Sequence, residues 1–256
     1  MPVCYVCHDV SYTRDYDRLF TFPEFSDIID IMDKIIYWAN LSNLSDDSMK
    51  LEPLLADLAS SQSEHRGYNF LACPAITSRH KNTFISRMPY DASVRFINDE
   101  LITDDDRITQ RHGLYSNSYS FNWDIKRIFF SPTPQLMEIN PAFLHRTSYS
   151  VQGHAPSGAF DIGQWFRPSH PTFQLWPNES EFYGIKGEPH LYFNFPNDKK
   201  IKLEQFNMTD RLNDIMGDCL NYKFQDPRKK LPFIYNLFSS MGVQKDIMKE
   251  ISQNLF

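Results

Sequence analysis

Leu191-Tyr192-Phe193-Asn194-Phe195 is near-continuously apolar and aromatic over five residues. A run this short, rich in ring side chains, reads as a strand lying centrally in a sheet rather than as a helix. The segment before it fits. In Ile185-Lys186-Gly187-Glu188-Pro189 the glycine supplies a positive-φ turn, and Pro189 starts the next strand where no ladder donor is needed.

Working outward, the region 68–206 is a succession of short aromatic and β-branched runs bounded by Gly, Pro, Asn or Asp. Strand candidates fall at 68–72, 83–87, 93–98, 118–123, 127–130, 135–139, 158–166, 172–175, 182–185, 189–195 and 200–206, of which about nine are expected to hold. Beyond this region the period becomes helical. Phe25, Ile28, Ile29, Met32, Ile35, Ile36 and Ala39 recur at three- and four-residue spacing with Asp27, Asp30, Asp33 and Lys34 between them, which predicts an amphipathic helix over 25–39. A second short helix is expected over 51–58, and Ser60-Ser61-Gln62-Ser63-Glu64-His65 reads as a loop. After Phe206, Asn207 or Thr209 can cap a helix through Leu220, and helices over 231–241 and 243–255 are broken at Gly242. The expected fold is therefore α+β: an antiparallel β-sandwich or jelly-roll-like barrel flanked by N-terminal and C-terminal helices. It reads as one domain over 1–256, with a helical part at 1–65, a β-rich core at 66–206 and C-terminal helices at 207–256.

The 41% hydrophobic content of the 256 residues is that of a folding chain and not of a disordered one. A net charge of −6 speaks against a nucleic-acid surface, which needs clustered Lys and Arg. No stretch approaches the roughly 18 uninterrupted apolar residues of a membrane span. The opening Met1-Pro2-Val3-Cys4-Tyr5-Val6-Cys7-His8-Asp9 lacks the basic-then-apolar pattern of a secretory signal, so a cytoplasmic location is expected. The four cysteines, Cys4, Cys7, Cys73 and Cys219, are too scattered for a disulfide framework.

Motifs that carry chemistry are few. Cys4-Tyr5-Val6-Cys7-His8 has the spacing of covalent haem attachment, but without export or a following helix ordinary thiols near a strand are the expectation. As a zinc half-site the pair would need two more ligands. There is no Gly-x-Ser-x-Gly elbow, no Ser-x-x-Lys and no phosphate-binding glycine loop, and only nine glycines occur. Asp104-Asp105-Asp106 reads as a solvated acidic turn. No cofactor is expected.

Three sets of candidate residues remain. A facial metal site could be drawn from His154, Asp161 and His190 or His170, since such sites use two imidazoles and a carboxylate, although the usual His-x-Asp/Glu spacing is absent. Trp165, Arg167 and Trp176 are candidates for a ligand or glycan platform, flat rings for stacking and a guanidinium for a fork. Trp123, Trp165 and Trp176, with Phe121, Phe130, Phe166 and Phe173, could together form such a platform, but rings at alternating strand positions are expected to be core. Finally, Ile247, Met248, Ile251, Leu255 and Phe256 form an apolar stripe at the chain's end that would suit a protein partner or a homo-oligomer contact.

Two segments are less generic than the rest: Cys73-Pro74-Ala75 with Lys81-Asn82-Thr83-Phe84-Ile85 and Pro89-Tyr90-Asp91, and Asp161-Ile162-Gly163-Gln164-Trp165-Phe166-Arg167-Pro168 with Ile185-Lys186-Gly187-Glu188-Pro189 and Tyr192-Phe193-Asn194-Phe195. Together they resemble a protein family of tailed bacteriophages, of the T4-like cyanophage type, to which no activity is attached. The resemblance implies a phage product made in the host bacterial cytoplasm, with packaging in the virion as a further expectation. Combined with the missing catalytic motifs, it points to a non-enzymatic protein, a virion component or an intracellular protein-binding factor. A metal-dependent, oxygenase-like jelly-roll enzyme and a small-ligand or glycan-binding β-sandwich are the alternatives.

Overall fold

The computed structural model describes residues 33–62, 70–111, 117–164, 166–225, 233 and 240–255. Its centre is a strand where a helix was expected. Lys34–Asn40 is β1, hydrogen-bonded on one side to β8 (Arg127–Phe130, antiparallel, Tyr37↔Phe130) and on the other to β16 (Ile201–Gln205, parallel, Ile36↔Leu203). The helical reading failed because Ile35-Ile36-Tyr37-Trp38-Ala39 is a solid apolar run, which satisfies helical spacing and a doubly buried strand equally well. Burial decides between them. Ile36 and Trp38 enter the central core while Tyr37 and Ala39 enter a second core on the opposite face, the period-two alternation of a pleated strand. Residues 25–32 and the Cys4/Cys7 pair lie outside the described residues.

Among the described residues four open sheets surround the central core, so the architecture is α+β and sandwich-like, and the alternative of a closed barrel is not adopted there. The first sheet runs β12 (Pro168–Ser169), β8, β1, β16. The second runs β10 (Gly153–His154), β13 (Thr172–Leu175), β7 (Ser120–Trp123), β6 (Ile108–Arg111). The third runs β11 (Gly158–Asp161), β9 (Leu136–Pro141), β15 (Pro189–Asn194), β3 (Thr83–Arg87), β2 (Leu51–Pro53). The fourth is a small sheet of β14 (Glu181–Gly184), β4 (Ala92–Ile97) and β5 (Glu100–Ile102). The apolar run that opens the sequence argument is β15, paired with β3 and β9 on its two sides. Gly187 adopts φ +84 in the turn before it, and Pro189 begins the strand.

Helices cover the outer faces. Leu212, Ile215 and Cys219 of α3 (Asp210–Gln225) and Ile247 and Ile251 of α4 (Val243–Ser252) share a core with Tyr37, Ala39, Ile128 and Phe130 of the first sheet. Leu54 and Leu58 of α1 (Leu54–Gln62) pack with Ile85 and Tyr192 on the outer face of the third sheet. The helix expected over 51–58 therefore starts three residues late, after β2. The strand expected over 68–72 is a 3-10 turn at Phe70–Ala72, followed by the unanticipated α2 (Pro74–His80), and the helix expected over 231–241 falls largely outside the described residues.

The central core is aromatic. Phe121, Trp123, Phe173 and Phe182 are 0–1% exposed, with ring centroids 4.9 to 6.4 Å apart. Each such ring contributes roughly 1.5–3 kcal/mol by its burial. Phe130 and Phe166 lie in the second core, whereas Trp176, also expected to be core, is 39% exposed.

Candidate functional site

The segment Arg167-Pro168-Ser169-His170-Pro171-Thr172 carries the chain from one sheet to another. Pro168 and Ser169 form β12 on the free edge of β8, where a missing N–H is tolerated, and two residues later Thr172 opens β13 opposite Asn122 of β7. Arg167, Ser169 and His170 are thereby set on the seam between the first and second sheets. A cavity of about 190 Å³ opens there. Its walls are Phe129 of β8, Met137 and Ile139 of β9, and Phe160 and Ile162 at β11; its polar rim is Arg167, Ser169, His170 and Thr172.

His170 also lines a second cavity, of about 230 Å³, with charged and polar groups that include Arg107, Arg111, Asn122, Asp124 and Lys126. Arg107 donates to Asp105 Oδ1 at 2.8 Å and lies 4.0 Å above the Tyr90 ring, and Lys126 pairs with Asp124 at 2.6 Å. Arg111 has no carboxylate partner among the described residues. With the Asn122 amide oxygen turned toward it, Arg111 donates to that oxygen from Nε and Nη2 at 2.8 and 3.0 Å, and the amide nitrogen donates to Thr172 Oγ1 at 2.6 Å. The same oxygen accepts from His170 Nε2 at 3.2 Å, which places the proton of the neutral ring on Nε2. His170 Nδ1 is then a buried acceptor without a partner. Burial first, then the charges of Lys126, Arg167 and Arg111, hold the imidazole below its ordinary range, against an opposing effect of Asp124. The two cavities thus share His170 as a lining residue, the first mostly apolar with Arg167 on its rim and the second lined by charged groups of both signs.

A third cavity, of about 310 Å³, lies beyond β10 and is bordered by Phe143, His145, Tyr149, His154 and Trp176. The His154 and Trp176 rings stack at 4.4 Å and 18°, and Trp176 Nε1 donates to Ser150 O at 3.3 Å. His145 is held at both nitrogens, by Asp57 Oδ2 at 2.8 Å and by the Tyr192 hydroxyl at 2.5 Å. Neither nitrogen is left to act on a guest in the cavity.

The expected residue sets separate. Arg167 lines the first cavity and Trp176 the third, while Trp165 lies outside the described residues. Among the described residues no group of three His, Cys, Asp or Glu side chains is placed to hold a metal ion. Asp161 instead accepts the Gln135 and Gly163 backbone N–H groups at 3.0 and 2.9 Å, His154 stacks on Trp176, and His190 is 0% exposed in the aromatic core. His154, Asp161 and His190 are therefore spent on a ring stack, a turn and the interior. The partner stripe is internal at Ile247 and Ile251. Ile247 and Ile251 are 2% and 0% exposed against the chain's own first sheet, Leu255 is exposed and bridges to Phe206, and Phe256 lies outside the described residues. No helix among the described residues is long and apolar enough to cross a membrane. Sequence reasoning missed Arg111, Asn122 and Lys126, because the strands that bring them to His170 are distant in the chain; the two prolines around Ser169-His170 were the signal available.

The chain matches no protein-family model, no characterised protein is similar to it in sequence, and no solved structure matches its fold.

Proposed function

We propose that this chain is a non-enzymatic binding protein whose ligand is a small amphipathic anion, with an apolar body in the Phe129/Met137/Ile139 chamber and an acidic head at the His170 seam. The observation that carries the reading is that His170 lines both cavities, the apolar one with Arg167 on its rim and the charged one with Arg111 and Lys126. Ligand pockets combine an apolar lining with a few converging polar groups in this way. A guanidinium offers an acidic head a planar fork, and a charged hydrogen bond contributes about 1.5–3 kcal/mol. Ile247 and Ile251, the centre of the stripe that motivated a protein-contact role, are buried against the chain's own first sheet, which removes much of that reading's support. Under the phage origin implied by the quoted segments, the ligand would be met in the host cytoplasm.

Calorimetric titration with straight-chain carboxylates and their matching alcohols tests the proposal. Carboxylates bind and alcohols bind more weakly. Arg111→Gln weakens the carboxylates about tenfold or more and leaves the alcohols unchanged. Absence of heat with every member of both series, or equal weakening of both by Arg111→Gln, overturns it.

A further inference from the structure

The third cavity, of about 310 Å³, shares no lining residue with the two that meet at His170. Four rings line it: Phe143, Tyr149, His154 and Trp176. Tyr149 is buried, whereas Phe143 is 59% and Trp176 39% exposed. Large rings left open to water around a recess gain free energy when a guest covers them, and an apolar concavity of this kind is the usual form of a ligand site.

The backbone holds the recess in shape. Strand β10 pairs with β13 through Gly153 opposite Leu175 and His154 opposite Gln174, and just after β13 the Trp176 N–H donates to Gln152 O at 2.9 Å. A Cβ on Gly153 would stand 2.4 Å from Gln174 O and 2.9 Å from Leu175 Cα, so glycine is what lets the two strands approach this closely. His154 and Trp176 are thereby brought ring to ring, 4.4 Å apart and 18° from parallel. The Tyr149 hydroxyl is tied to Pro189 O at 2.6 Å, and the Phe143 ring packs edge-on to Tyr192 at 5.4 Å. Rings fixed in advance cost a guest little ordering free energy.

The chemistry of the lining selects the guest. No Asp, Glu, Lys or Arg is among the described residues that line the cavity. Asp57, the carboxylate on His145, is itself paired with Arg87. Burial holds both His145 and His154 below the ordinary imidazole range, so neither is charged at neutral pH. Hydrogen-bonding groups are mostly spent within the chain: both His145 nitrogens, the Tyr149 hydroxyl, Trp176 Nε1 on Ser150 O, and Ser150 Oγ on Thr147 O at 2.8 Å. An ion would lose hydration here without gaining a partner, and a sugar would leave its hydroxyls unpaired. Size narrows the class further. An apolar cavity of roughly 150 Å³ takes one benzene ring, so about twice that volume suits two fused rings.

We propose that the third cavity is a second binding site, independent of the one at His170, and that it takes an uncharged aromatic molecule of two fused rings against Phe143, His154 and Trp176.

The test titrates quinoline and N-methylquinolinium, the same two rings without and with a charge, into the full chain at neutral pH. The Trp176 indole N–H cross-peak, assigned by its loss in Trp176→Phe, reports occupancy in NMR, and calorimetry gives the affinity. Quinoline shifts the cross-peak saturably, and N-methylquinolinium binds at least about fivefold more weakly. Trp176→Ala and Phe143→Ala, both at exposed positions, each weaken quinoline about fivefold, the share of one ring contact, while Arg111→Gln leaves its affinity unchanged. Absence of a saturable response to quinoline, equal or tighter binding of N-methylquinolinium, or wild-type affinity in both alanine variants overturns the proposal. Loss of quinoline binding in Arg111→Gln would place the guest at His170 instead and overturns it equally.

Discussion

His145 donates from Nε2 to Asp57 Oδ2 at 2.8 Å, across 88 residues of sequence. The tautomer follows from the other nitrogen. Burial raises the Tyr192 hydroxyl well above its ordinary range, so it keeps its proton and donates it to His145 Nδ1 while accepting the Leu144 N–H at 3.2 Å. Asp57 also pairs with Arg87, which in turn reaches Glu52 at 3.2 Å. Helix α1, strands β2, β3 and β15, and the 141–147 segment are thereby tied by one network. Tyr192→Phe keeps the ring but leaves two groups of that network unpaired, and the expected loss is about 1–3 kcal/mol in urea unfolding. A variant as stable as the wild type would show that the hydroxyl is not integral to the network.

The His170 imidazole gives the ligand proposal a pH signature. In the free protein it sits below its ordinary value of 6.5, through burial and then three cations. An acidic head bound among those cations offsets their field and favours the imidazolium, so its pKa rises on binding. By linkage, binding takes up a proton as the pH falls through the His170 titration of the complex, so affinity increases there with falling pH and is flat well above it. An alkyl sulfonate, whose head does not titrate there, isolates the effect, and the His170 ring-proton shift in NMR reads it. An identical His170 titration with and without the sulfonate would count against a head group at the seam.

Much of the sheet framework was legible because local pattern and tertiary environment agree there. The runs at 83–87, 127–130 and 172–175 are β3, β8 and β13 to the residue. Where one pattern fits two periods, the wrong one was read, as at β1. Strand β6 went unseen because Thr109, Gln110 and Arg111 are all exposed and offer no alternation. The candidate site was legible only at Arg167 and, as a metal-ligand candidate, at His170. Its other polar members meet through pairings between β6, β7 and β13, and Asn122 and His170 are 48 residues apart, so nothing local could join them.

Gly163 shapes the chamber from behind. It follows Ile162, a wall residue, in the turn that Asp161 clamps through the Gln135 and Gly163 N–H groups. A Cβ there would stand 2.3 Å from Thr133 O and 2.8 Å from Pro134 Cα, both backbone atoms that cannot swing aside. Gly163→Ala must therefore displace the turn, at a cost of about 1–3 kcal/mol, and carry Ile162 with it. Stability and carboxylate affinity should fall together. Unchanged stability would mean that the two loops separate freely.

The C-terminal helix supplies the sharpest contrast between an apolar stripe and a binding surface. Ile251 is fully buried among residues of the first sheet and α3, and the end of the chain is tied down by the Phe206–Leu255 bridge and by the Asn207 N–H donating to Asn254 O at 2.9 Å. Truncating a buried isoleucine removes transfer free energy and leaves a cavity, so Ile251→Ala should cost about 2–5 kcal/mol in chemical denaturation. If the stripe served association instead, the same variant would change the assembly state in light scattering and spare the monomer's stability. The burial of Ile247 and Ile251 predicts the first outcome: a less stable chain with its oligomeric state unaltered, and loss of the fold rather than of a partner when residues 243–256 are removed.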